Sequence, residues 1–188
     1  MKQSALLVID MVKDFTDEKG LVFYPQNRII LPRIQNLLDH ARKQDVLIIF
    51  LQHCYRKDKY DKNLLTMRPN CIEGSGGEDI DPMLTVDPVK DYVIKKRRYS
   101  GFFGTDLDLV LREHDIRNVI LVGTKTNCCI RATATDAYYL NYSVLVLSDC
   151  VATNDEVVNK VNLQDIQKYI GQVITSDECI SKLEKGEL

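Results

Sequence analysis

The chain reads as an α/β protein: a doubly wound, six-stranded, mostly parallel sheet with helices on both faces. Three observations predict this. Short apolar runs alternate with segments of helical spacing along the whole chain, the pattern of repeated strand–helix–strand units. The runs ALLVI at Ala5–Ile9, VLIIFLQ at Val46–Gln52 and VILV at Val119–Val122 are almost wholly apolar, as strands covered on both faces are. The 188 residues show no internal repeat, linker or low-complexity tract, so residues 1–188 are expected to form a single domain with one sizeable core.

Taken in order, Ala5–Ile9 predicts a first strand ending at Asp10, and a loop then runs through Asp14, Phe15, Gly20 and Pro25. Ile30, Ile34, Leu37, Leu38 and Ala41 fall on one helical face, predicting a helix over Ile29–Gln44. Val46–Gln52 is the second strand and ends at His53. Arg56–Pro88 is polar and rich in Gly, Pro and Asp; a connection this long in a compact domain is usually functional. Asp91–Lys95 is a short third strand running into Lys95-Lys96-Arg97-Arg98. Asp106–His114 suits a helix with Thr105 or Asp106 as its cap. Val119–Val122 is the fourth strand, and a helix begun near Cys128 continues through Arg131–Asn141. Val144–Leu147 is the fifth strand. Asn154 caps a helix to about Tyr169, Gln172–Thr175 is a sixth strand, and Ser176 caps a last helix ending near Gly186.

Composition narrows the function. Charged residues make up 28% and apolar residues 45%, with a formal net charge of −2, which offers no general attraction to nucleic acid or anionic membrane. No apolar run approaches a membrane span, and the apolar part of MKQSALLVID is interrupted by an aspartate too early for a leader, so a cytoplasmic protein is expected. Six cysteines, none in a CxxC pair, point to free thiols rather than a structural zinc site. The GSGG at Gly74–Gly77 lacks the preceding strand, the following helix and the Lys-Ser/Thr ending of a phosphate loop.

Chemistry gathers at the strand ends. Ligands of doubly wound sheets bind beyond the carboxyl ends of the strands. Here those ends carry Asp10, His53, the Lys95–Arg98 cluster and a Gly123–Cys129 turn. An acid, a base cluster and a thiol at one sheet edge supply a nucleophile, a proton acceptor and a cation. A thiol at a helix N-terminus sees the positive end of the dipole, which favours thiolate. The pattern alone does not choose between Cys128 and Cys129.

LLVIDMVKDF at Leu6–Phe15, KRRYSGFFGTDLD at Lys96–Asp108 and GTKTNCCIRATATDA at Gly123–Ala137 resemble, in order and spacing, the three signature blocks of the isochorismatase-like cysteine hydrolases. That superfamily includes nicotinamidases, N-carbamoylsarcosine amidases and ureidoacrylate-type amidohydrolases, on a Rossmann-like three-layer fold. The resemblance covers nearly the whole chain. It implies a triad of Asp10, Lys96 (rather than Lys95) and Cys129, with Cys128 on the variable position and expected to pack or point away. It also implies a non-proline cis peptide at Thr124–Lys125 that aims the Lys125 and Cys129 backbone N–H groups into an oxyanion hole.

Phe15, His53, Tyr99, Phe102 and Thr126 are the candidate substrate-binding residues. Arg68, Arg97, Arg98 and Arg131 are candidates to hold a substrate carboxylate. Nicotinamidases bind a metal through Asp-x-His at the end of the second strand plus a later histidine; here that place reads His53-Cys54-Tyr55, with Asn70 and Cys71 following. No catalytic metal and no cofactor are therefore expected, the open variant being one ion held by His53 with Cys54 or Cys71. The implied activity is hydrolysis of a C–N bond in a small carbamoyl, ureido or amide compound. Vinyl ether hydrolysis of the isochorismatase type, a nicotinamidase with an atypical metal site, and a non-catalytic binding module are the alternatives. A homodimer or homotetramer is expected, with Tyr138, Tyr139 and Tyr142 as candidate interface residues.

Overall fold

The computed structural model describes residues 4–188; the first three residues, part of the N-terminal stretch read above as lacking a leader, lie outside the described residues. Six strands, β1 (Ser4–Ile9), β2 (Leu47–His53), β3 (Tyr92–Lys96), β4 (Asn118–Thr124), β5 (Ser143–Ala152) and β6 (Gln172–Ile174), form one sheet in the order β3-β2-β1-β4-β5-β6. Every described pairing is parallel, with Ile9 opposite both Leu51 and Gly123 and His53 opposite Lys96. The order reverses between β1 and β4, so the carboxyl ends of those two strands flank a switch point, where doubly wound sheets open a crevice. Gly123 permits their close approach: its φ of 114° suits glycine alone, and a Cβ there would strike the Ile9 carbonyl.

Alternation along each strand builds two cores. Leu6, Val8, Phe50, Ile120 and Val122 face helices α2 (Pro25–Lys43) and α6 (Ser176–Glu184), meeting Ile34, Leu38 and Leu183. Leu7, Ile9, Leu51 and Leu121 face α3 (Leu107–Glu113), α4 (Arg131–Tyr139) and α5 (Glu156–Tyr169), meeting Leu111, Ala134 and Ile166. No described helix is long and apolar enough to cross a membrane.

Several boundaries differ from the sequence reading, each for a local reason. A short helix, α1 (Lys13–Thr16), sits where a loop was expected. Helix α2 starts at Pro25, whose missing N–H costs nothing at a first turn, and it carries Pro32 inside. The side-chain cap of α5 is Asp155, accepting from Val158 N–H at 2.9 Å, and that of α6 is Thr175 in a capping box with Glu178. At α3 the cap position is Asp106, while Thr105 Oγ1 accepts from Leu107 N–H at 3.3 Å. The helix expected from Cys128 is instead a π-helical turn, Thr126–Ile130, that feeds α4. Such turns recur at functional sites.

Candidate active site

Three distant segments meet at the switch point. Asp10 immediately follows β1 with a φ of 56°, a left-handed conformation that aspartate tolerates better than most side chains. Its N–H is held by the Leu51 carbonyl at 2.8 Å. Lys96 ends β3, shares the face of Ile94, and reaches across β2. Its Nζ lies 2.7 Å from Asp10 Oδ2, and both side chains are 0% exposed. The ammonium also donates to the Arg98 carbonyl oxygen at 3.0 Å. Lys95 points the other way and pairs with Glu73 at the surface at 2.8 Å. Strand alternation thus separates two adjacent lysines into a buried one and a solvated one.

Cys129 is the fourth residue of the π-helical turn. Its thiol lies where the charges of both Asp10 and Lys96 act on it. Neither Asp10 oxygen receives a well-aligned hydrogen bond, so close charge contact rather than linear bonding joins the three groups. Burial works to lower the Lys96 pKa, but the neighbouring Asp10 and Cys129 charges outweigh it and hold the ammonium above its ordinary value. Burial, reinforced by the Asp10 charge and opposed by Lys96, pushes the Cys129 thiol well up. Burial and the adjacent carboxylate thus act against the thiolate that the helix N-terminus favours.

Asp10 and Cys129 open onto a cavity of about 440 Å³, with Lys96 buried behind Asp10. Asp10, Cys128 and Cys129 line it together with Thr124 and Lys125 from the crest of β4, and Phe15, Val22, Phe23, Tyr24, His53, Tyr55, Met67, Asn70, Tyr99 and Asn154 complete the wall. The Thr124–Lys125 peptide is cis. Tyr24 supports the crest through a short hydroxyl contact with Thr124 Oγ1. His53 stands edge-on to Tyr55 at 4.6 Å and tilted to Phe15 at 6.1 Å. Burial lowers the His53 pKa to about 4, with Asp10 opposing and Lys96 reinforcing, so the ring is neutral at physiological pH. Two buried polar atoms of the wall, His53 Nδ1 and Asn70 Oδ1, have no hydrogen-bond partner.

Of the five sequence-predicted substrate-binding residues, Phe15, His53 and Tyr99 line this cavity. Phe102 does not: its ring stacks on Tyr142 at 5.9 Å, where two aromatics find more contact than an open cleft offers. Thr126 does not either; the π-helical turn buries it completely, with its hydroxyl unpaired. Cys128, expected to pack or point away, is half-buried in the cavity wall. None of the four nominated arginines lines the cavity. Arg98 pairs with Asp61 at 3.1 Å and Arg131 with Asp165 at 3.1 Å and Asn162 at 2.8 Å. Arg97 faces a separate hollow, and Arg68 is exposed. Tyr142, named as an interface candidate, is buried and donates to Asp108 at 2.8 Å, while Tyr138 and Tyr139 are exposed.

Tyr24, Tyr55, Met67 and Asn70 were missed. Tyr55, Met67 and Asn70 sit at the start of or within the long connection, whose length was the one sequence signal for them. That segment is tied down by Asp14, which accepts from Cys71 N–H at 2.6 Å and Leu21 N–H at 3.2 Å, and by Gly77, where a Cβ would collide with the Asp14 carboxylate.

The residues do not fit a metal of the nicotinamidase kind. His53 and Cys54 are consecutive and face different spaces: His53 the cavity over Cys129, Cys54 a hollow lined by Arg56, Lys57 and Lys95. Cys71 is fully buried. Among the described residues no group of three His, Cys, Asp or Glu is placed to hold an ion.

Comparison with known proteins identifies the family and the fold. The isochorismatase domain model matches residues 4–178. The chain is 36% identical to an isochorismatase-like hydrolase of Alkaliphilus metalliredigens of known structure, with a TM-score of 0.90 over 95% of this chain and 98% of that one. It is 30% identical to the ureidoacrylate amidohydrolase RutB of Rhizobium rhizogenes over 94% of this chain and 82% of that protein. The structure of N-carbamoylsarcosine amidase from Thermoplasma acidophilum superposes with a TM-score of 0.81 at 29% identity, over 94% of this chain and 98% of that one.

Proposed function

The chain belongs to the isochorismatase family, whose relatives include hydrolases acting on amides, and on that footing we propose a cysteine-dependent amidohydrolase that cleaves a C–N bond in a small carbamoyl or ureido compound. The observation that carries the reading is that Asp10, ion-paired to the buried Lys96 at 2.7 Å, lines one cavity together with Cys129.

In this reading Asp10 takes the Cys129 proton as sulfur attacks the substrate carbonyl, and Lys96 holds the carboxylate in place and offsets the negative charge. The raised thiol pKa suits a nucleophile that is deprotonated only as it reacts. The tetrahedral oxyanion sits on the Lys125 and Cys129 backbone N–H groups, each such donor contributing about 2.7–4 kcal/mol at a transition state. The C–N bond then breaks, the nitrogen leaves with the proton held by Asp10, and water hydrolyses the thioester. Assembly into two or four copies, with the exposed Tyr138 and Tyr139 at a contact, belongs to the same proposal and is read by sedimentation.

The test is ammonia release across a panel of carbamoyl and ureido compounds, with mass-spectrometric trapping of a Cys129 adduct. Cys129→Ala is expected to abolish turnover and leave the fold intact. Full activity in that variant, or pyruvate release from isochorismate in place of ammonia, would reject the reading.

A further inference from the structure

The cavity over Cys129 carries a charge that the chemistry above does not use. Among its lining residues Asp10 is the sole carboxylate, and Lys96 already neutralises it at 2.7 Å. A second cation remains. The Lys125 side chain leaves the crest of β4 along the cavity wall, with Nζ 5.5 Å from the centre of the Tyr24 ring, itself part of that wall. Its charge reaches the neighbouring Cys128 thiol, which also lines the cavity. That ring is the one partner the structure gives it: among the described residues Lys125 makes no ion pair and no side-chain hydrogen bond. No arginine lines the cavity.

The surroundings make this lone ammonium consequential. Phe15, Phe23, Tyr55 and Tyr99 give the cavity aromatic walls. A charge beside low-dielectric walls acts more strongly than one in water, and a few convergent polar groups in an apolar pocket set what it accepts. With Asp10 and Lys96 cancelling, the cavity has one uncompensated positive charge, complementary to a ligand with one negative charge.

Building on the reading of the preceding section, we propose that the Lys125 side chain is the anion anchor of this site, and that its substrates are ureido or amide compounds bearing a carboxylate away from the scissile bond. The backbone N–H and the side chain of Lys125 then serve different ends of one molecule: the N–H receives the developing oxyanion, and the ammonium holds the carboxylate and so fixes which carbonyl lies over sulfur. Lys125 is a specificity-determining residue in this scheme, and neutral amides of the same shape are poor substrates.

Two reagents of nearly equal size isolate the charge: iodoacetate and iodoacetamide. With either, the Cys129 thiol passes its proton to Asp10, the sulfur forms a bond to the reagent methylene, the C–I bond breaks, and iodide leaves with the electron pair. Rates at Cys129 are read by site-resolved mass spectrometry on the full chain. The iodoacetate-to-iodoacetamide rate ratio is expected to fall about tenfold in Lys125→Met, as loss of one well-placed charge pair implies, and to recover in Lys125→Arg. Iodoacetamide serves as the internal control for folding. In turnover, Lys125→Met should raise KM for an N-carbamoyl amino acid far more than for its neutral carboxamide. An unchanged ratio overturns the anchor and leaves the amidohydrolase reading standing. Cys129 inert to both reagents overturns that reading and the anchor with it.

Discussion

Replacing Lys96 with Met is the sharpest perturbation of this fold and of its candidate chemistry together. The Asp10 and Lys96 side chains are 0% exposed and 2.7 Å apart. Removing one member leaves the other as an uncompensated charge in a dry site, which typically costs about 3–5 kcal/mol, whereas removing both leaves only a packing change. That loss is a large share of the roughly 5–15 kcal/mol by which domains are stable. Lys96→Met also removes the donor of the Arg98 carbonyl, and with it the tie between the end of β3 and the segment carrying Tyr99. The assay is a double-mutant cycle in urea: wild type, Asp10→Asn, Lys96→Met and the double variant, each followed by circular dichroism. Each single variant should lose about 3–5 kcal/mol, and the double variant far less than their sum, giving a coupling energy of about 3 kcal/mol or more. Turnover should fall by about 10²–10⁴ in all three, because charge relief restores stability without restoring the proton acceptor and its partner. Lys96→Met within about 1 kcal/mol of wild type, or strictly additive losses, would refute the argument that this pair is buried and interdependent.

Three further outcomes follow from the structure. His53 has its pKa lowered to about 4 from 6.5, so its neutral form contributes stability that is fully present above pH 6.5 and is lost as pH falls toward 4. That loss amounts to about 3 kcal/mol, and His53→Gln should flatten this part of the pH profile; equal profiles for the two proteins would contradict it. Asp14→Ala frees the Cys71 and Leu21 N–H groups and should cost about 2–3 kcal/mol by denaturant midpoint. It should also raise KM, because the connection it clamps supplies Met67 and Asn70 to the cavity; an unchanged KM would show that the connection holds without it. Tyr24→Phe removes the hydroxyl contact to Thr124 and should cost about 1 kcal/mol, with a larger fall in kcat than rise in KM, measured by steady-state kinetics.

Much of this molecule was legible as sequence because its signals are local. The apolar runs of β1, β2 and β4 state that both faces are covered, and alternation within them requires two cores. The residues just past those runs state what stands at the carboxyl edge of the sheet, so Asp10, His53, Lys96 and Cys129 were visible as residue types before any coordinates. Their signature blocks supplied the family. The same blocks chose Lys96 over Lys95, and the alternation of β3 buries Lys96 and leaves Lys95 at the surface.

What tertiary structure alone decided depends on contacts between segments far apart in the chain. Phe102 and Thr126 belong to signature blocks, yet the pairing of Phe102 with Tyr142 and the π-helical turn around Thr126 take both out of the cavity. Tyr24, Tyr55 and Asn70 enter it from stretches without periodicity, whose positions are set by Asp14 and by bridges such as Tyr55 to Ile72. The surroundings of the Cys129 thiol are decided in the same way: a helix N-terminus can be read from neighbouring residues, but the burial that raises the thiol pKa and the carboxylate set beside it are known only when the chain is folded.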